Sequence, residues 1–190
     1  MKIEKQPLDL LRHIATASKE AIKTRTANND LKKDWSGIGF SLCGQKMVAP
    51  MGQVVEIINA PKYTFIPRTK KWVLGLANIR GRMLPIYDIE HYFGSKLAGN
   101  RARHRVLIIE SEHVYAGLLV SHVFGLKHFP INSFKQAYSN SDEAFASCID
   151  STGNDGHSEW LRFQIPLLTQ TPEFMDAGLQ ISSHTAASAA

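Results

Sequence analysis

Residues 73–94, VLGLANIRGRMLPIYDIEHYFG, decide how the chain is read. From Val73 to Ile79, Gly75 and Ala77 share a face with Val73 and Ile79, so one side of a strand is nearly bare. A bare strand face lets another backbone approach closely, which makes it a packing or docking surface. Gly81, between Arg80 and Arg82, supplies the freedom that a two-strand turn needs, and Met83–Ile89 resumes an apolar run. Two cations therefore project from one tip. Asp88 suits the N-cap of a short helix, Glu90 its electropositive first turn and Gly94 its C-terminal close. The stretch predicts strand, turn, strand and short helix.

The whole chain has 190 residues, 44% of them hydrophobic and 21% charged, with a formal net charge of +5. That is the composition of an ordinary globule, with room for one domain or two small barrels sharing an interface. The opening MKIEKQPLD is too polar for a signal peptide, and no apolar run approaches the ~20 residues of a membrane span. A cytoplasmic protein is expected. Cys43 and Cys148 are the only cysteines, too few for a disulfide framework or a cysteine zinc site. The positive charge raises the alternative of a nucleic-acid-binding β-barrel, but the basic residues lack the interleaved aromatic rings of a base-stacking platform. A basic face that meets an acidic protein fits better.

In chain order, residues 7–25 place Leu8, Leu11, Ile14, Ala15 and Ile22 at the spacing of a one-faced helix, expected to pack back on the body. A polar link follows. From Trp35 the pattern changes to short strands: Phe40 and Leu42 alternate, Cys43–Lys46 turns, and MVAPMGQVVEII (47–58) reads as one longer strand bent at Pro50 and Gly52. Residues 61–72 form an exposed, basic connection. The run MVAPMGQVVEII echoes YAGLLVSHVFGL (115–126) without a gap, which argues for two similar β units. Residues 135–158 read as polar loops, EWLRFQIPLL as the last strand, and the small-residue tail from Ala177 as disordered. The expected domains are a helical extension and linker over 1–34, a β domain over 35–176 and a tail over 177–190.

Enzyme tools are missing from this pattern. No Gly-rich loop opens a helix, no nucleophile elbow occurs, and the eight histidines are dispersed without a ligand pair. A Cys148–His122 pair in a hydrolase is the one catalytic alternative, and any chain with such residues allows it. No catalytic residue, cofactor or metal is expected.

The segment GLANIRGRMLPIYDIEHYFG resembles the Asn-Leu-Arg-Gly and apolar-Pro-apolar-apolar-Asp signature of the CheW-like adaptor family of bacterial chemosensory systems. With WSGIGFSLCGQKMVAPMGQVVEI upstream and YAGLLVSHVFGL downstream, the likeness covers residues 36–130 and is closest to the PilI-type branch, which serves type IV pili and twitching motility. The resemblance implies a mainly β fold of two five-stranded SH3-like β-barrels side by side, with short helices. It implies a non-catalytic adaptor linking the cytoplasmic tip of a methyl-accepting receptor to the regulatory domain of a CheA-type histidine kinase. A general flagellar chemotaxis adaptor is the alternative within the family. The functional positions that it carries over are Glu56, Asn78 and Arg80, the apolar Met51 and Val54, and the small Gly75 and Gly117 that would let a helical receptor tip approach. Arg80 near Glu56 implies an ion pair that orders two strand ends. The chain departs from the family at Ile165–Pro166, where an acid usually opens a short helix.

Overall fold

The computed structural model describes residues 34–135, 138 and 144–178. The helix expected over 7–25 and the tail beyond residue 178 lie outside the described residues. Ten strands form two five-stranded sheets. In order, they are β1 (Asp34–Leu42), β2 (Gln45–Pro50), β3 (Glu56–Asn59), β4 (Val73–Ile79), β5 (Arg82–Asp88), β6 (Arg105–Glu110), β7 (Tyr115–Val120), β8 (His122–Pro130), β9 (Ile149–Asn154) and β10 (Glu159–Phe163). Short helices α1 (Ile89–Tyr92), α2 (Ile165–Thr169) and α3 (Pro172–Met175) follow β5 and β10.

The first sheet has the order β8-β1-β2-β10-β9 and the second β3-β6-β7-β5-β4. Each is an antiparallel hairpin joined in parallel to a second hairpin, with a fifth strand, β8 or β3, added antiparallel at one edge; the second sheet uses consecutive strands and is inserted between β2 and β8 of the first. The echo between 47–58 and 115–126 is the sequence trace of the two crossovers between the sheets. It lays β2 on β7 and β3 on β8, the two places where the chain leaves one sheet for the other. The single strand read over 47–58 is therefore corrected to two strands in different sheets. Pro50 has no N–H for a ladder and Gly52 has φ +91°, so Met51–Val55 turns away as the crossover.

Packing explains the unbroken apolar runs. In β6, Val106 and Ile108 face the interior of the second sheet, while Leu107 and Ile109 face a larger core shared with Phe40, Met47 and Phe163 of the first. A strand buried on both faces loses its alternation. Val48, Phe129 and Trp160 fill the first sheet's own interior. The sheets curl without a continuous closing ladder. Single antiparallel bridges, Thr64 to Leu76 and Lys135 to Thr152, join the chain beyond β3 to β4 and the chain beyond β8 to β9. The expected barrels are thus two five-stranded sheets, each clasped at one bridge.

The polar reading of 135–158 is corrected as well, since it contains β9. Ile149, Ser151 and Gly153 alternate inward, but two of the three are small, and the ring of Phe134 occupies the place of a Gly153 side chain. At the C-terminal end, β10 is shorter than EWLRFQIPLL, and α2 begins at Ile165 with Pro166 in its first turn, where its missing N–H costs nothing. Ala177 and Gly178 belong to the ordered body through Lys70 and Thr69.

Candidate functional site

The β4–β5 turn builds the tip. Arg80 (φ +53°) and Gly81 (φ +85°) both take the left-handed region, the two-residue turn whose twist matches that of paired strands. Asn78 Oδ1 accepts from the Gly81 N–H at 2.8 Å and closes it. Arg80 Nη2 donates to Glu56 Oε1 at 2.7 Å. Glu56 opens β3, at the opposite edge of the same sheet, so this ion pair clasps the sheet as the Thr64–Leu76 bridge does. The Arg80 side chain is 78% exposed and that of Glu56 30%, leaving the guanidinium open to a partner. Asp88 caps α1 by accepting from the His91 N–H at 3.0 Å, and Gly94 (φ +77°) follows its C-terminal end.

A second ion pair, which the sequence reading missed, lies on the same sheet. Arg82 grips both carboxylate oxygens of Glu110, at 2.9 and 3.4 Å, and its guanidinium lies 3.9 Å from the Tyr115 ring centre. The signal was the β6–β7 hairpin, whose register sets Glu110 opposite Tyr115.

Glu110 also lines a cleft of about 400 Å³ between the β6–β7 turn, the first crossover and α2. Ile109, Val114, Ile165 and Met175 give it apolar walls. Gln53 anchors one wall: its Nε2 donates to Gln164 Oε1 at 2.6 Å, and its Oε1 accepts from the Ile165 N–H at 2.9 Å. Behind it stands Asp150. Burial alone would raise the Asp150 carboxyl, but hydrogen bonds from Arg162 (2.6 Å), Gln164 (2.5 Å) and Ser151 (2.8 Å) outweigh it and hold the carboxyl below its usual range.

Glu56, Asn78 and Arg80 are brought together. Met51, exposed, and Val54, half-buried against the shared core, lie on the crossover leading to Glu56. The approach expected over Gly75 and Gly117 is made from within the chain. A side chain at Gly75 would meet the Thr64 carbonyl, which bridges β4 there, and one at Gly117 would strike Val106, Ile86 and Leu84. The smallness of these two glycines makes room for this chain's own atoms. His122 edges the Phe124 ring at the start of β8, whereas Cys148 precedes β9 at the other edge of the first sheet. Burial pushes the Cys148 thiol up, against thiolate chemistry. Arg80, Arg82 and Arg162 each hold a carboxylate, so none of the three is an uncompensated charge.

Two five-stranded sheets, the second continuous in the chain (β3–β7) and set between β2 and β8 of the first, carry a paired-charge tip and an apolar cleft, the surfaces of a docking protein. A sequence profile of the CheW-like domain matches residues 36–161, and the chain belongs to that family of non-catalytic scaffolds. Protein PilI of Pseudomonas aeruginosa is 37% identical over 173 residues, 91% of this chain and 97% of that one. Protein FrzA of Myxococcus xanthus is 24% identical over 133 residues, 68% of this chain and 83% of that one. The crystal structure of scaffolding protein TtCheW from Thermoanaerobacter tengcongensis shares the fold, with a TM-score of 0.63 at 21% identity over 73% of this chain and 94% of that one. Among the described residues no helix is long and apolar enough to cross a membrane, and no group of His, Cys, Asp and Glu could hold a metal ion.

Proposed function

We propose that the chain is a cytoplasmic adaptor, recruited to membrane-associated arrays, that joins the tip of a methyl-accepting receptor to the regulatory domain of a CheA-type histidine kinase in the pathway of type IV pili and twitching motility. The 37% identity to PilI over 91% of the chain carries this reading, because it extends well beyond the 36–161 domain core. Glu56, Asn78 and Arg80 would set register through polar contacts, with Met51 and Val54 beside them, and the apolar cleft would take an amphipathic helix. Each contact need bind only modestly, since an array multiplies weak contacts.

Reconstitution tests it. The purified chain, a receptor cytoplasmic fragment and the kinase are mixed, and kinase autophosphorylation is followed with and without the chain. A receptor-dependent change of rate that requires the chain supports the adaptor role, and the absence of any complex counts against it. Deleting the gene in the host tests the branch. Lost twitching with intact swimming supports the pilus pathway, while the reverse moves the chain to the general flagellar branch.

A further inference from the structure

The connection 61–72, PKYTFIPRTKKW, carries a feature that the tip and cleft leave unused. Phe65 is 70% exposed, the most exposed large apolar side chain among the described residues. Lys62, Arg68, Lys70 and Lys71 surround it in sequence, and no acidic residue lies between Glu56 and Asp88. The contrast with the tip is direct. Arg80 and Arg82 are neutralised by Glu56 and Glu110, whereas these four cations have no carboxylate partner among the described residues.

The backbone that presents them is held in place. Thr64 exchanges two hydrogen bonds with Leu76, at 2.8 and 2.9 Å, and Thr69 Oγ1 donates to the Ile66 carbonyl at 2.9 Å. The Lys70 N–H donates to the Ala177 carbonyl, Thr69 bridges Gly178, and Pro61 and Pro67 fix two further φ angles. Arg68 is kept at φ +61°, a costly conformation for a residue with a side chain. At the end of the segment Trp72 is buried, stacked on Phe174 of α3 with the rings 5° from parallel. An exposed ring on a fixed backbone loses little entropy on docking, and a central aromatic with a polar surround is the anatomy of an interface hot spot.

We infer that residues 61–71 form a third docking surface, separate from the tip and the cleft, on which Phe65 enters an apolar pocket of an acidic protein face while Lys62, Arg68 and Lys71 meet its carboxylates. Thr64 is level with Leu76, four residues along β4 from Arg80, or about 13 Å. That distance lies within one interface of standard size, about 800 Å² a side, so a single partner could touch both places. A nucleic acid fits less well because one ring makes no run of stacked bases, and a membrane because one ring buries little in the interface.

The inference rests on the adaptor reading, so its test uses the two partners named there. Affinities of the full chain for the kinase regulatory domain and for the receptor fragment are measured for wild type, Phe65→Ala and Lys62→Glu/Lys71→Glu. Vesicles of phosphatidylserine in phosphatidylcholine and a short single-stranded DNA are run alongside. Both variants are expected to weaken binding of one protein partner about tenfold or more, and added salt to weaken wild type more steeply than the double variant. Wild-type binding to both proteins, unchanged in both variants, overturns the third surface and leaves the adaptor reading standing. Binding of wild type to neither protein overturns both. Vesicle or DNA binding that Phe65→Ala abolishes, with protein affinities unchanged, replaces the acidic protein with that ligand.

Discussion

Gln53 on the first crossover donates to Gln164, the cap residue of α2, across 2.6 Å, and so ties the change of sheet to the helix that walls the cleft. The same Gln53 accepts from the Ile165 N–H, and the same Gln164 donates to Asp150. Local geometry at Met51, Val54 and Glu56 thus depends on a network rooted in the other half of the chain. Gln53→Ala should lower stability by about 1–2 kcal/mol through two lost, partly buried hydrogen bonds. It should also weaken whatever partner fills the cleft. Urea unfolding and partner titration on one preparation check this; unchanged values in both would show that the crossover is held by its apolar contacts alone.

Asp150 gives an acid-sensitive limb. Its carboxyl is held below the ordinary value in the folded chain, so the stabilisation is fully present above the unfolded carboxylate pKa near ~3.9 and is lost as pH falls through the lower folded value. Asp150→Asn should remove that part of the slope and cost about 1–2 kcal/mol at neutral pH, since Arg162 and Gln164 lose a charged acceptor. Unfolding midpoints from pH 2 to 7 report it.

Glu90 acts with the opposite sign. It is 1% exposed, and its Oε1 has no hydrogen-bond partner among the described residues. Burial pushes its carboxyl up, with the nearby Asp88 charge adding to this and Ser121 and His104 opposing it. The folded state then binds a proton more readily than the unfolded chain, and stability falls as pH rises from the ordinary carboxylate value through the raised one. Glu90→Gln is expected to gain about 1 kcal/mol at pH 8 over wild type and nothing near pH 4, where both are neutral. A loss at pH 8 would mean that the carboxylate is solvated in a way the packing does not convey.

The contrast between Glu90 and Asp88 marks what the sequence could reveal. Asp88, Gly94, Gly81 and Arg80 obey local rules of caps and turns, and the stretch 73–94 folds as those rules demand. Glu90 satisfies the local rule for a first turn, yet it is buried and meets Ser121 on the second crossover, a tertiary contact that no local pattern announces. The same limit hid β9. Its inward positions Ser151 and Gly153 are small, and at Gly153 the Phe134 ring fills the space, so apolar alternation is absent from the strand. At Gly75 and Gly117 smallness was legible, whereas the Thr64 carbonyl and the Val106 side chain that lie where a Cβ would stand were not.

Arg80 carries the sharpest prediction, because two roles for it give different outcomes. As an exposed pair with Glu56 it contributes about 0–1 kcal/mol, so Arg80→Glu should unfold within ~1 kcal/mol of wild type. Coupling of receptor to kinase should nevertheless fall by about tenfold or more, since a rim charge reversed against a complementary face also repels it. The exchange Glu56→Arg with Arg80→Glu separates the two roles. If the pair only clasps the edges of the sheet, the swapped pair restores both stability and coupling. If the guanidinium itself meets the partner, the swap restores the clasp and leaves coupling impaired. The 78% exposure of Arg80 against 30% for Glu56 favours the second outcome, because the arginine faces outward and the glutamate is the half-buried member that holds it. Full rescue by the swap would remove Arg80 from the docking surface and leave it as the clasp of the second sheet.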